Sequence, residues 1–109
     1  MGGTTASPLS VIICDIQGII TRYSEGAKDV FGWSQEEIVG KQNVAVFHTK
    51  ENVAKLVPRL LKTAAEKGVF EEEVTLVKKN GETFQALLNV KPVKQGAQLV
   101  GYIGTTHPL

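Results

Sequence analysis

Few side chains in this sequence have the types and spacing to do chemistry. The chain carries two imidazoles, His48 and His107, one thiol, Cys14, and one dense acidic run, Glu71-Glu72-Glu73. A histidine can act as a base, a proton shuttle or a metal ligand. His48 follows the apolar run Val44-Ala45-Val46-Phe47, where a local hydrogen-bonding or capping role competes with those functions, and His107 lies near the C-terminal end, where exposure is expected. Two histidines do not build a metal centre alone. A reactive thiol needs an electropositive, partly exposed setting. Cys14 instead follows Val11-Ile12-Ile13, so it is read as a small hydrophobe in a strand, and as a single cysteine it excludes an internal disulfide. Carboxylates in a row suit calcium or magnesium. Strand alternation, however, sends Glu72 to the face opposite Glu71 and Glu73, which are expected to pair with Lys or Arg across the solvent side of a sheet. Glu36 and Glu37 are explained by capping. The sequence holds no G-x-S-x-G elbow, no H-E-x-x-H and no phosphate-binding glycine loop, so hydrolase and transferase chemistry has no support and the chain is read as non-enzymatic.

The elements that must position these residues follow from periodicity. Ser10 to Ile16 and Gly18 to Tyr23 are β-branched and apolar around the turn chemistry of Asp15 to Gly18, which predicts a hairpin. A short helix is expected from Ser24 to Phe31, stopped by Gly32, and Ser34-Gln35-Glu36-Glu37 is a capping box that opens another, ending at Gly40. Residues 41–48 suit a helical turn that drops Val44, Val46 or Phe47 inward. Between Lys50 and Lys67, Val53, Leu56, Val57, Leu60, Leu61, Ala64 and Ala65 step at helical spacing, with Thr49 as cap, Gly68 as stop and a kink or restart at Pro58. Val69 to Lys78 is a strand, Asn80-Gly81 a hairpin turn, and Phe84, Ala86, Leu88 and Val90 form the apolar face of the next strand, which Pro92 is expected to end. Gly96 makes a second turn before a last strand from Gln98 to Thr106. The result is an α+β domain with helices on one face of an antiparallel sheet.

At 109 residues, 42% hydrophobic and 21% charged, the chain is one domain with enough apolar surface to build a core. Residues 1–9 are read as a flexible leader or tag remnant and residues 10–109 as the domain. Lys and Arg number 12 against 11 Asp and Glu, and their scatter argues against direct nucleic-acid binding. No apolar run is long enough to span a membrane. Absence of a basic leader and of paired cysteines fits a cytoplasmic protein.

The series ICDIQGIITRYSEGAKDVFGWSQEEIVGK, VFHTKE, VKKNGETFQALLNVKPV and GYIGTT, in this order and spacing over residues 10 to 106, resembles a PAS domain, the sensory and interaction module of signalling proteins. The resemblance implies a five-stranded antiparallel sheet of order 2-1-5-4-3 with helices enclosing a pocket, in a protein of signal transduction or transcription regulation. It places Asn43, His48, Leu56, Val57, Leu60, Leu76, Ala86, Leu88, Tyr102, Gly104 and Thr106 toward that pocket. It implies a homodimer through the outer sheet face at Leu87, Leu99 and Ile103, an effector or signalling domain in cis or in trans, and a small-molecule ligand of unknown identity. Some haem-binding members place an axial ligand near His48, which makes a haem-based gas or redox sensor one alternative; a ligand-free dimerisation module is the other. The blue-light flavin branch carries Asn-Cys-Arg-Phe-Leu-Gln, and here Val44 stands at the cysteine, Ala86 at its strand asparagine and Thr106 at its last-strand glutamine, so flavin is not expected. The chain also departs from the family's closing Asp-Ile-Thr, with Thr106-His107-Pro108-Leu109, and from the signalling helix that follows it.

Overall fold

The computed structural model describes residues 9–109; the leader read at residues 1–9 lies, but for Leu9, outside the described residues. Strands β1 (Ser10–Asp15) and β2 (Ile20–Tyr23) are followed by α1 (Glu25–Phe31), α2 (Gln35–Ile38), a 3-10 turn (Val44–Phe47), α3 (Lys50–Lys55) and α4 (Val57–Lys67). Strands β3 (Phe70–Val77), β4 (Thr83–Gln95) and β5 (Gln98–Pro108) complete the chain. The sheet has the order β2-β1-β5-β4-β3, and every paired neighbour is antiparallel.

Local chemistry sets the element ends. The Ser24 hydroxyl accepts from the Ala27 amide at 3.2 Å to cap α1 and donates to the Leu9 carbonyl at 2.8 Å, so one side chain starts the helix and fastens the start of β1. Ser34 and Glu37 form the expected reciprocal capping box. Lys79, in the β3–β4 turn, then locks this region from the far side: its amide donates to the Phe31 carbonyl, its ammonium pairs with Glu37, and it lies over the Trp33 ring. The predicted long helix restarts at Leu56, with Pro58 in the first turn of α4, where a missing N–H costs little. Its apolar stripe is narrower than the spacing implied, since Val53 and Ala65 are exposed and only Leu56, Leu60 and Ala64 are buried.

Two strands run further than expected. Pro92 does not end β4, because β3 begins opposite Val90 and leaves the following residues of β4 with β5 as their one neighbour. A residue without N–H is tolerated on such an edge. The same holds for Pro108, which extends β5 past Thr106 opposite Ala86, beyond the point where β1 begins at Ser10.

The core lies between the inner sheet face and the helices. Ile12, Cys14, Phe70, Val74, Leu76, Ala86, Leu88, Val90 and Tyr102 point inward to meet Ala27, Phe31, Phe47, Leu56, Leu60 and Ala64. The tightest approach is at Gly101, where a Cβ would stand 2.0 Å from the Cys14 carbonyl oxygen. No side chain fits there without separating β1 from β5. Gly101→Ala is therefore expected to destabilise the domain by at least about 2 kcal/mol in urea unfolding; a loss below about 0.5 kcal/mol, the scale of an ordinary surface change, contradicts this packing.

Candidate functional site

A pocket of about 60 Å³ opens between sheet and helices. The sheet supplies Ile12 and Cys14 from β1, Leu76 from β3, Leu88 and Val90 from β4, and Tyr102, Gly104 and Thr106 from β5. Opposite them stand Phe31 of α1, Val44, Phe47 and His48 of the 3-10 segment, and Val57, Leu60 and Leu61 of α4. The aromatic rings limit its size: Phe31 and Phe47 pack with centroids 4.4 Å apart, and Phe31 also meets Phe84 at 5.7 Å.

The pocket wall carries no carboxylate, ammonium or guanidinium. Its polar groups are the His48 imidazole, the Tyr102 and Thr106 hydroxyls and the Cys14 thiol. His48 caps the 3-10 turn, its amide donating to the Ala45 carbonyl, and bridges to Leu76 of β3. That backbone register fixes the ring against the sheet, and its Nδ1 is buried without a hydrogen-bond partner. Burial pushes the imidazole down to about 4, so it stays neutral. Burial likewise raises the Cys14 thiol and the Tyr102 phenol, which keeps both protonated and makes Cys14 a poor nucleophile.

Of the residues placed toward the pocket by sequence, His48, Val57, Leu60, Leu76, Leu88, Tyr102, Gly104 and Thr106 line it. Asn43, Leu56 and Ala86 do not. The Asn43 carboxamide is consumed as a clip: its oxygen caps the Ala45 amide at 3.0 Å and its nitrogen donates to the Gln17 carbonyl at 2.8 Å. Leu56 is buried at the α3–α4 junction and Ala86 packs in the core. Ile12, Cys14, Val90, Phe31, Val44, Phe47 and Leu61 also line the pocket and were missed: the first three lie on inner strand faces read only as core, Phe31, Val44 and Phe47 come from separate helical elements, and Leu61 belongs to the α4 stripe that already supplied Val57 and Leu60.

On the outer sheet face, Leu87 and Ile103 share a shallow groove with Glu71, Asn89, Lys91, Thr105 and His107. Leu99, expected beside them, packs against the core. Val93 pairs with Gly101 but Lys94 with Leu99, so Val100 is an extra residue on β5 and reverses the alternation beyond it. The acidic run also departs from expectation. Glu71 accepts from Asn89 at 3.1 Å, whereas Glu72, on the helix side, holds Arg59 through two bonds of 2.5 and 3.0 Å.

Neither large chromophore fits the residues present. Pockets for drug-sized ligands occupy about 300–1,000 Å³, far above the space here, and Val44 offers a flavin no thiol. A porphyrin on His48 meets the same limit of volume.

With this geometry in place, the comparisons are consistent with one family. The PAS fold model matches residues 5–109, and the chain belongs to the PAS family. It is similar to the two-component system protein A of Emericella nidulans, 26% identical over 105 residues that make up 96% of this chain and 15% of that protein. The chain thus spans a small part of the curated relative it matches. The fold is similar to the PAS domain of a protein from Colwellia psychrerythraea, with a TM-score of 0.88 at 20% identity, covering 93% of this chain and 86% of that one. It is also similar to the LOV domain of a blue-light activated histidine kinase from Erythrobacter litoralis, with a TM-score of 0.78 at 22% identity, covering 94% and 96%. Among the described residues no helix is long and apolar enough to cross a membrane.

His48 gives this site a pH signature. The folded ring titrates at about 4 and an ordinary one near 6.5, so between these values the unfolded chain binds the extra proton and folding is opposed as pH falls. Each unit of depression is worth about 1.4 kcal/mol. Urea unfolding across this window should reveal a steady loss of stability toward acid that His48→Leu reduces. An identical pH dependence in parent and variant would assign the proton uptake to other groups.

Proposed function

We propose that this domain is a sensory module of a signalling protein, which takes up a small molecule in the pocket and relays its presence through the sheet to an effector domain in cis or in trans. The observation that carries this reading is the division of labour along β4 and β5. Leu88, Val90, Tyr102 and Thr106 face the pocket, while Leu87, Asn89, Ile103 and Thr105 alternate onto the outer face. The two faces thereby share one backbone layer, so a ligand that repositions the inner face acts on the outer one as well. A ligand shifts such a system when it binds one arrangement of the sheet better than another.

The similarity to a two-component system protein supports a place in signal transduction. The outer face supplies a partner surface, since an apolar patch rimmed by polar groups suits protein contact, and we assign it to a homodimer centred on Leu87 and Ile103. Ile103→Glu or Leu87→Glu should convert a dimer to a monomer in light scattering while the far-ultraviolet circular dichroism is retained. An unchanged mass from a dimeric parent sinks this interface. The purified protein is expected to be colourless, and a Soret band or flavin absorbance would overturn the small-ligand reading.

A further inference from the structure

The class of ligand can be narrowed from the pocket's own chemistry, an inference that rests on the sensory reading above. Its volume of about 60 Å³ is well below the roughly 150 Å³ that accommodates benzene in an engineered apolar cavity. No charged side chain lines it, so a charged ligand would lose its hydration with no counter-charge in return. The wall's only ring nitrogens belong to His48, whose Nδ1 is sealed by packing without a partner, so the imidazole meets the pocket through its remaining edge. A hydrogen bond made inside an apolar pocket gains more than an exposed one would.

We propose that the pocket selects a small, uncharged molecule with an apolar body and one hydroxyl-type group, which pairs with the His48 imidazole. A hydroxyl donates and accepts, so it meets either tautomer of the neutral ring. The apolar body fills the space between Leu60 and Leu88, and a carboxylate or ammonium of the same size is rejected. His48 is also continuous with the signalling layer, because its backbone bridges to Leu76 of β3. A ligand that seats the ring therefore acts directly on the sheet.

Three probes of similar size separate the possibilities: xenon, which is apolar and has no polar group, 1-propanol and propionate. Methyl NMR titrations of the full chain should detect xenon and 1-propanol in the pocket and no propionate. 1-Propanol should also move the His48 imidazole ¹⁵N resonances. His48→Leu should retain xenon binding and weaken 1-propanol about tenfold, the scale of one buried hydrogen bond. At Gly104, which lines the pocket, an added Cβ meets its nearest atoms at 3.8 Å, so Gly104→Ala should fold normally and weaken both probes by narrowing the space. Equal 1-propanol affinity in parent and His48→Leu, unmoved imidazole ¹⁵N resonances, or binding of propionate as tight as 1-propanol would each overturn the proposed class and leave the pocket in place. Failure of the parent to bind both xenon and 1-propanol would overturn the pocket reading itself.

Discussion

The antiparallel pairing of β1 with β5 is the contact on which the rest of this domain depends. It joins Ser10 to Thr106 and Asp15 to Gly101, nearly the full length of the described chain apart in sequence, and it converts the β1–β2 hairpin and the β3–β4–β5 meander into one sheet. Closing so long a loop is entropically expensive and must be offset by the contacts it makes. The sequence meets this with a run of β-branched residues in β1 and with glycine at 101, where the Cys14 carbonyl leaves no room for a side chain. Once the pairing forms, Ile12 and Cys14 stand beside Tyr102, Gly104 and Thr106, and the β1–β5 part of the pocket wall exists.

The helical layer then determines how much space remains. The chain crosses from β2 to β3 through α1, α2, the 3-10 turn, α3 and α4, held by side-chain clips rather than by a continuous helix stripe. Ser24, Asn43 and Lys79 each fasten a loop to a neighbouring element. Asn43 in particular lies so close to Gly18 that an added Cβ would approach its carboxamide to 2.8 Å, and Gly18 has φ of 90°, so the β1–β2 turn needs glycine on both counts. These clips set the 3-10 segment deep enough for Phe47 to pack at a tilt against Phe31 and for His48 to reach the pocket. The outcome is a small apolar space with an imidazole on its wall.

Much of this was legible in the sequence because it is local. The capping box at Ser34, the glycine stops at Gly32 and Gly68, the Asn80-Gly81 turn and the restart at Pro58 depend on residues within a few positions of one another. The inner face of β4 was equally plain, since Ala86, Leu88 and Val90 alternate with polar or half-exposed neighbours. What failed to read through depends on distant partners. Pro92 looks like a terminator, and Thr106 like the end of the last strand, until it is known that the adjacent strand has already ended, and Leu99 looks outward until the extra residue Val100 is placed. Asn43 resembles a pocket residue in type, but its carboxamide is committed to Gln17 and Ala45. The pocket followed the same division: the family resemblance placed Leu76, Leu88, Tyr102, Gly104 and Thr106, whereas Ile12, Cys14 and Val90 on the same sheet face, and Phe31, Val44, Phe47 and Leu61 from the helical layer, required the packing of distant elements.

If β1–β5 pairing is the keystone, its amides should be the last to open. Residue-resolved native-state hydrogen exchange measures this directly, because each amide reports the free energy of the opening that exposes it. The account predicts that hydrogen-bonded amides of β1 and β5 exchange only through global unfolding, while those of α3, which buries no side chain, exchange through low-energy local opening. Exchange of β1 amides at distinctly lower free energy than those of β3 and β4 would mean that the C-terminal meander stands without β1, and it would contradict the account.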